Sequence, residues 1–389
     1  MVLFNLRKVF SYLVFSFVAV STFFYLPVPK GMEFMRAVEF GYQVQELLFR
    51  YGAMAIIGIS YFMEPLRKAK VFPMALFLLA SIAVSLLNFD IAARRVILNV
   101  FVAVVFYKTI SEHLDTRDLK IFSVFASGVI ILNIIWCLFQ YFGIDPLFSG
   151  AGEPGIMDRL VGFMKLKVHL GLLAAFLAPV MAYLSPWLVL LCLPLLFVGF
   201  SSSGVLAFVV SIWLLCLFET NFKNRAETFK FVLFNLLFLG LGVYYIVAID
   251  SPSGQFGSRF ETWHLTLSYA MKKNIFLGSG LGSFASWEPL TTQLTQTEKL
   301  SWLWAHNEYL QTFFEGGLVL LSVIFIYLKG VFDDFKILSV DPIIRFSFVS
   351  IISIAIISFF HFPFHLGRFV PVCLVLMAVF NARKCELNG

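Results

Sequence analysis

Charge is scarce in this sequence. Only 13% of its 389 residues are Asp, Glu, Lys or Arg, roughly half the share of an ordinary soluble domain, which excludes a water-soluble globule. Cysteine is scarce too. Of the five, Cys137, Cys192, Cys216 and Cys373 sit within apolar runs and Cys385 lies in the C-terminal tail. That scatter excludes a disulfide framework and leaves them as small buried hydrophobes. The net charge of +6 is modest, and the aromatic residues are mostly Phe, so no nucleic-acid platform is present. Ser201–Ser203 lacks the Gly-x-Ser-x-Gly elbow of a serine nucleophile. His361 and His365 are spaced like metal ligands, but Pro363 lies between them and no acidic third ligand is near in sequence. No metal or other cofactor is expected.

What the chain has in quantity is hydrocarbon: 60% of its residues are apolar. Runs of roughly 20 apolar residues recur from end to end, each long enough to cross a hydrocarbon core of about 30 Å. The N-terminal stretch resembles a signal peptide but lacks a small-residue cleavage site, so it is expected to persist as a first helix. Helices are predicted near 9–28, 44–63, 71–88, 96–111, 119–142, 161–184, 186–201, 203–219, 229–249, 307–328, 343–361 and 366–382. The result is an all-α polytopic membrane protein, one integral membrane domain over 1–389 with about twelve transmembrane helices and both termini on one side.

Basic residues in short loops set the orientation. With cytoplasmic termini, the inner stretches hold Arg67, Lys68 and Lys70; Lys108, Arg117 and Lys120; Lys223, Arg225 and Lys230; Lys329, Lys336 and Arg345; and Arg383 and Lys384. Asp333–Asp334, the one adjacent pair of aspartates, then falls inside. The single long loop, 250–306, faces outward. Topology leaves unexplained a second set of cations on the outer side: Arg94, Arg95, Arg159, Lys165, Lys167, Arg259, Lys272, Lys273, Lys299 and Arg368. Some snorkel to lipid headgroups, as Lys272 and Lys273 are expected to do.

Within the outer loop, the apolar spacing of Phe260, Trp263 and Leu267 predicts a helix from Ser258 to Asn274, lying along the membrane surface. Ser258 and Glu261 have the spacing of a capping box. Arg259 in the first turn opposes the helix dipole, so a negative partner is expected, either Glu261 or a ligand. "GSGLGSF", 278–284, predicts a tight, backbone-exposing turn, whose N–H groups could alternatively cradle a phosphate. Then "AHNEYLQTFFEGG", 305–317, opens a run of membrane-grade residues. On a helix Glu308, Gln311 and Glu315 share one stripe, and polar groups at that depth belong on the bundle interior or a wet cavity. Taken alone, the segment also fits a structural reading, with Asn307 as helix cap, His306 as an interfacial histidine and Glu315 as a paired acid.

Together, the Arg–x3–Trp helix start, "NIFLGSGLGSF" and "HNEYLQTFFEGGL" in one outer loop resemble the O-antigen ligase/polymerase family, the Wzy_C type of membrane glycosyltransferase. The signature region spans about 190–330 and includes the 250–306 loop; "FFHFPFH", 359–365, resembles the family's segment before the last span. There are departures. Asn274–Ile275 stands where proline is frequent, Ser203 where an arginine is expected, and "DRLVGFMKLKVHLG" lacks the family's Asn-Pro-Asn box.

The resemblance implies an all-α, GT-C-like fold and a bacterial cytoplasmic-membrane location. It implies a polyprenyl-pyrophosphate-linked glycan as donor and a glycolipid, glycan or protein hydroxyl as acceptor, with no nucleic acid and no metal. The leaving diphosphate calls for fixed guanidinium groups, Arg259 first and Arg159 second, with Arg159, Lys165 or Lys167 replacing the missing cation. The acceptor hydroxyl must lose a proton, and a neutral imidazole suits that task; His306 is the candidate. Asn307 or Glu308 would orient it, and Glu315 would support it or line the cavity. Ligase acting on lipid A-core, repeat-unit polymerase and transferase onto protein share this donor handling. A twelve-span glycan transporter is the reading from another class, but the chain has no internal repeat.

Overall fold

In the computed structural model the described residues are 2–23, 34–86, 91–144, 160–220 apart from 165 and 200, 224, 226–229, 232, 255–286, 304–333 and 341–388. Among them the chain is helical, and its one β feature is an isolated bridge between Asn274 and Gly278. The helices are α1 (Val2–Phe23), α2 (Phe34–Ser60), α3 (Phe72–Ser85), α4 (Ile91–His113), α5 (Leu119–Tyr141), α6 (Lys167–Leu184), α7 (Cys192–Gly199), α8 (Ser202–Glu219), α9 (Gln255–Lys272), α10 (Glu308–Phe332), α11 (Pro342–Phe360) and α12 (Val370–Asn388). Short 3-10 turns precede α5 and α7, and another, Pro363–His365, follows α11.

Six of these elements are long and apolar enough to cross a membrane: Leu6–Phe23, Thr116–Tyr141, Lys167–Leu184, Ser202–Glu219, Glu308–Phe332 and Pro342–Phe360. The Phe72–Ser85 and Pro186–Gly199 segments are apolar but shorter. Helices α2, α4 and α12 are interrupted by charged side chains, such as Glu46 and Arg50, Arg94 and Arg95, and Arg383 and Glu386. The helix predicted at 229–249 lies outside the described residues.

Helix α6 is the centre of the bundle. From His169 to Met181 every side chain is buried, and α6 packs against α5, α7, α8 and α11. Close approach is possible because the contact is lined by small residues. A Cβ on Gly199 would stand 2.7 Å from the Gly171 nitrogen, and one on Gly204 would stand 2.8 Å from the Gly171 carbonyl carbon. Helix α11 bridges α6 and α12, α12 also packs on α4, and α3 and α9 flank α10.

Capping residues fix several starts. Ser201 accepts from Gly204 N–H at 3.1 Å to open α8, and Asp341 accepts from Ile344 N–H at 3.0 Å, with Pro342 next, to open α11. Asp341 also takes the Arg383 guanidinium at 2.7 Å, while Arg67 and Arg383 both pair with Glu386. Together they tie α12 to the loop after α2 and to the start of α11. This gives a separable test. Asp341→Ala removes cap and ion pair together and should cost about 1–2 kcal/mol. Asp341→Asn retains a good cap and should cost clearly less. Thermal unfolding in detergent measures both, and equal losses would show that the cap contributes nothing.

Candidate functional site

The site begins with a broken helix. At Gly317 the backbone of α10 leaves helical geometry (φ 60, ψ −161), so the peptide groups around the break lose their helical partners. The glycine turn supplies replacements. Ser279 N–H and Gly280 N–H donate to the carbonyls of Phe314 and Glu315 at 2.9 and 2.8 Å. Leu318 N–H and Val319 N–H donate to the carbonyls of Ile275 and Phe276 at 2.8 and 3.1 Å. Gly282 N–H donates to the Glu315 carboxylate at 2.9 Å.

Side chains have no room at this junction. A Cβ on Gly317 would lie 2.4 Å from the Phe276 carbonyl carbon, and one on Gly278 (φ +66) would lie 2.5 Å from that of Glu315. Asn274, standing where the family often has proline, accepts from Phe276 N–H and Leu277 N–H at 3.0 and 3.1 Å and so builds the turn with its side chain instead. The three turn N–H groups that could have cradled a phosphate are thus engaged with α10.

Docked against this junction, α9 carries Arg259. The helix starts at Gln255, which corrects the expected capping box: Ser258 sits inside the first turn rather than at the cap, because the helix runs one turn earlier than the local Ser-to-Glu spacing suggests. The side chain of Glu261, and so its pairing with Arg259, lies outside the described residues. Trp263 is buried against Phe359 and Phe360, and its indole N–H donates to the Ala305 carbonyl at 3.1 Å. That bond holds the peptide immediately before His306.

His306 has φ 52 and is the non-glycine residue with positive φ among the described residues. Such a conformation is strained and persists only when its surroundings enforce it. The surroundings here are specific. Gln311 accepts from Ala305 N–H at 3.2 Å, Asn307 caps α10 by accepting from Leu310 N–H at 3.0 Å, and Glu308 N–H donates to the His361 carbonyl at 3.2 Å. The half-buried imidazole lies edge-on to Phe362 and to His361, with ring centroids 4.9 and 5.7 Å away. Burial, followed by the positive charge of Arg259, pulls its pKa down to about 3. The charge of Arg259 is therefore near enough to be felt at His306, and the imidazole is neutral.

Behind them, Glu308, Gln311 and Glu315 are buried on the interior stripe. Glu308 Oε1 lies 2.8 Å from His365 Nδ1, and Gln311 Nε2 lies 3.1 Å from His365 Nε2 and 3.3 Å from Glu315 Oε1. Burial alone would lower the His365 pKa, but Glu308, with Glu315 beyond it, raises it to about 9. Tyr309 points away and donates to the Ala355 carbonyl at 3.0 Å. Three residues that the sequence did not single out for the site complete the inner wall. His361 lies edge-on to both His306 and His169, and Arg368, 2% exposed, donates to Gln45 at 3.0 Å and to the Met164 carbonyl. Burial first, with the charge of Arg259 a smaller cause, holds His361 well below its ordinary pKa.

Lys167 is half-buried at the start of α6. Arg159 and Lys165 lie outside the described residues. Among the described residues no group of three His, Cys, Asp or Glu side chains is disposed to hold a metal ion.

Comparison with known proteins now bears on this geometry. Residues 167–325 match the family model Wzy_C, described as O-antigen ligase. That match covers about two-fifths of the chain. No curated protein matches the chain significantly. The matched O-antigen ligase segment runs from the first turn of α6 into the apolar half of α10, and so contains Lys167, Arg259, His306 and the whole glycine junction. His361, His365 and Arg368 fall beyond it.

The junction makes a direct prediction about this domain. Gly317→Ala combines a strained backbone with a clash and should destabilise by more than about 2 kcal/mol. Gly330→Ala, in the same helix with nothing within 4 Å, should be neutral or stabilise by up to about 1 kcal/mol. Unfolding midpoints in detergent measure the difference; equal midpoints would show that the break does not need glycine.

Proposed function

We propose that this protein is an O-antigen ligase-like membrane glycosyltransferase. In this reading it transfers a glycan from a polyprenyl diphosphate carrier to an acceptor hydroxyl, such as one on lipid A-core, at the outer face of the bacterial cytoplasmic membrane. The observation that carries it is the pairing of Arg259 and His306 at the head of α10: a guanidinium beside a neutral imidazole that is held on a left-handed backbone. The family match supports the reaction class. Helices beyond the six apolar spans bring the bundle to about twelve crossings, with both termini cytoplasmic and α9 on the outer surface. The exposed face of α9, with Phe260, Leu267 and Met271, suits a helix resting in the lipid interface.

The chemistry follows from the charges. The acceptor oxygen attacks the anomeric carbon as its proton passes to the His306 imidazole. The bond from that carbon to the diphosphate oxygen breaks, and the electron pair leaves on the lipid diphosphate, where Arg259 meets the developing charge. A single displacement inverts the anomeric configuration, and the imidazolium then returns its proton to water. Lys167, with Arg159 and Lys165 from the approach to α6, adds positive charge for the diphosphate. Arg259 also regulates the base. Its charge weakens His306 as a proton acceptor, after burial; a diphosphate that neutralises it relieves that part of the depression, so the base is stronger when the donor is loaded. Asn307 and Glu308 position His306 from the first turn of α10, and Glu315 supports it by anchoring the glycine turn.

His306→Ala should slow transfer at least about 100-fold, the usual scale of acid–base catalysis, and Arg259→Lys should also impair it because the bidentate geometry is lost. Near-wild-type rates for both would remove the site from consideration. In cells lacking the gene, long glycan stranded on the carrier identifies a ligase, whereas single repeats reaching the surface acceptor identify a polymerase. The pH profile is a separate check. A folded-state pKa lowered to about 3 leaves the base form present throughout the neutral range and lost only well below it. The kcat/KM of the free enzyme should therefore stay flat between about pH 5 and 8; an inflection near the ordinary histidine value of about 6.5 would contradict this picture.

A further inference from the structure

His361 has no role in the mechanism above, yet its position calls for one. It terminates α11 and is 4% exposed. Its ring lies 5.7 Å from the ring of His306 on one side and 5.7 Å from that of His169 on the other, with Phe362 tilted against it at 4.8 Å. Its main chain is tied to the site, since the His361 carbonyl accepts from Glu308 N–H. Its side chain is not: His361 Nδ1 is buried and makes no hydrogen bond among the described residues. Glu308 Oε2, on the residue tethered to it, is also buried and without a hydrogen bond among them. Leaving a buried polar atom unmet costs about 1–3 kcal/mol, and one such atom on each of two residues joined by a main-chain hydrogen bond is best explained by something polar that comes to meet them.

We infer that His361 Nδ1 and Glu308 Oε2 form the hydroxyl-binding edge of the acceptor site, holding the acceptor sugar beside His306. This rests on the glycosyl-transfer reading above. The chemical class follows from the groups. A carboxylate oxygen accepts hydrogen bonds only and repels phosphate, so this edge does not suit the diphosphate of the donor. A neutral imidazole nitrogen either donates or accepts, according to tautomer. A hydroxyl can do both, and a sugar presents several within reach of one another. The division of the site is then electrostatic: the diphosphate goes to the Arg259 side, and the hydroxyls of the attacking sugar go to the His361–Glu308 side, with His306 between.

Two substitutions at His361 separate its nitrogen from its ring. His361→Phe keeps an aromatic ring against His306, His169 and Phe362 but removes the nitrogen. His361→Asn loses the ring but returns an amide group close to the Nδ1 position, whereas His361→Gln places it near Nε2. The assay uses the full-length protein in detergent, with carrier-linked glycan and the membrane glycolipid fraction of the producing strain as acceptor probe. His361→Phe and His361→Gln should raise the acceptor KM about tenfold or more, the loss of one good hydrogen bond, with the donor KM unchanged. His361→Asn should stay within about threefold of the wild type.

A wild-type acceptor KM for a folded His361→Phe overturns the inference, as does an His361→Asn protein that binds acceptor worse than His361→Phe. Thermal unfolding sorts folded from unfolded variants, and an His361→Asn protein that cannot fold also overturns it, because the ring would then be the structural element. His306→Ala in the same assay keeps the two proposals apart. Full activity there defeats the base assignment, whereas an inactive His306→Ala with an unaffected His361→Phe defeats only the acceptor edge.

Discussion

A peptide group inside an apolar bundle must find a hydrogen-bond partner, and the rest of this site follows from how the chain meets that demand at Gly317. Each peptide group left unmet costs about 1–3 kcal/mol, so a helix broken in the middle would ordinarily be lost. Here the break is kept and sealed by a second segment, with two donors from the glycine turn entering α10 and two donors of α10 leaving to that turn. The consequence reaches beyond the junction. The sealing turn follows α9 directly, so fixing one fixes the other, and Trp263 carries the constraint from α9 to Ala305. The helix that carries Arg259 and the peptide that precedes His306 are thereby fixed to one another through the glycine turn and the Trp263 indole.

Electrostatics orders what the backbone positions. Arg259 acts on His306 from α9, while Glu308, two residues on, pairs with His365 and raises its pKa. The arrangement keeps the Arg259 cation of α9 apart from the Glu308 carboxylate of α10, which is engaged by His365. It matches a reaction in which negative charge develops on a leaving group and a proton is withdrawn from an attacking one.

How much of this was legible in the sequence depends on the range over which each signal acts. Apolar runs marked the helices because hydropathy is a property of contiguous residues; α5, α6, α8 and α11 lie close to where it placed them. The start of α9 was misplaced because a Ser-to-Glu spacing is a local cue that tertiary packing overrides. The glycine turn was recognised as a turn, but nothing in its own residues says that its N–H groups are received by Phe314, Glu315 and the Glu315 carboxylate. His361 and Arg368 were hardest to place. Arg368 reaches Gln45, a separation of 323 residues, and a histidine at the end of an apolar run looks the same in sequence whether it fills a core or faces a substrate.

The polar opening of α10 can now be divided by task. Asn307 is the cap, Gln311 holds the Ala305 peptide and meets His365, and Glu315 receives the turn through Gly282. These three are consumed in building the helix mouth. Glu308 retains an oxygen without a hydrogen bond among the described residues, in the first turn of the helix. The break at Gly317 marks the boundary. Before it, polar side chains are tolerable because the turn, Trp263 and the 361–365 segment surround them. After it, from Leu318 on, the helix is apolar and several side chains are exposed, among them Leu318, Val319, Phe325 and Ile326. One continuous helix could not easily serve both environments, since its interior stripe would carry the same character along its length. By breaking at the boundary, α10 joins a polar head, braced by its neighbours, to an apolar remainder.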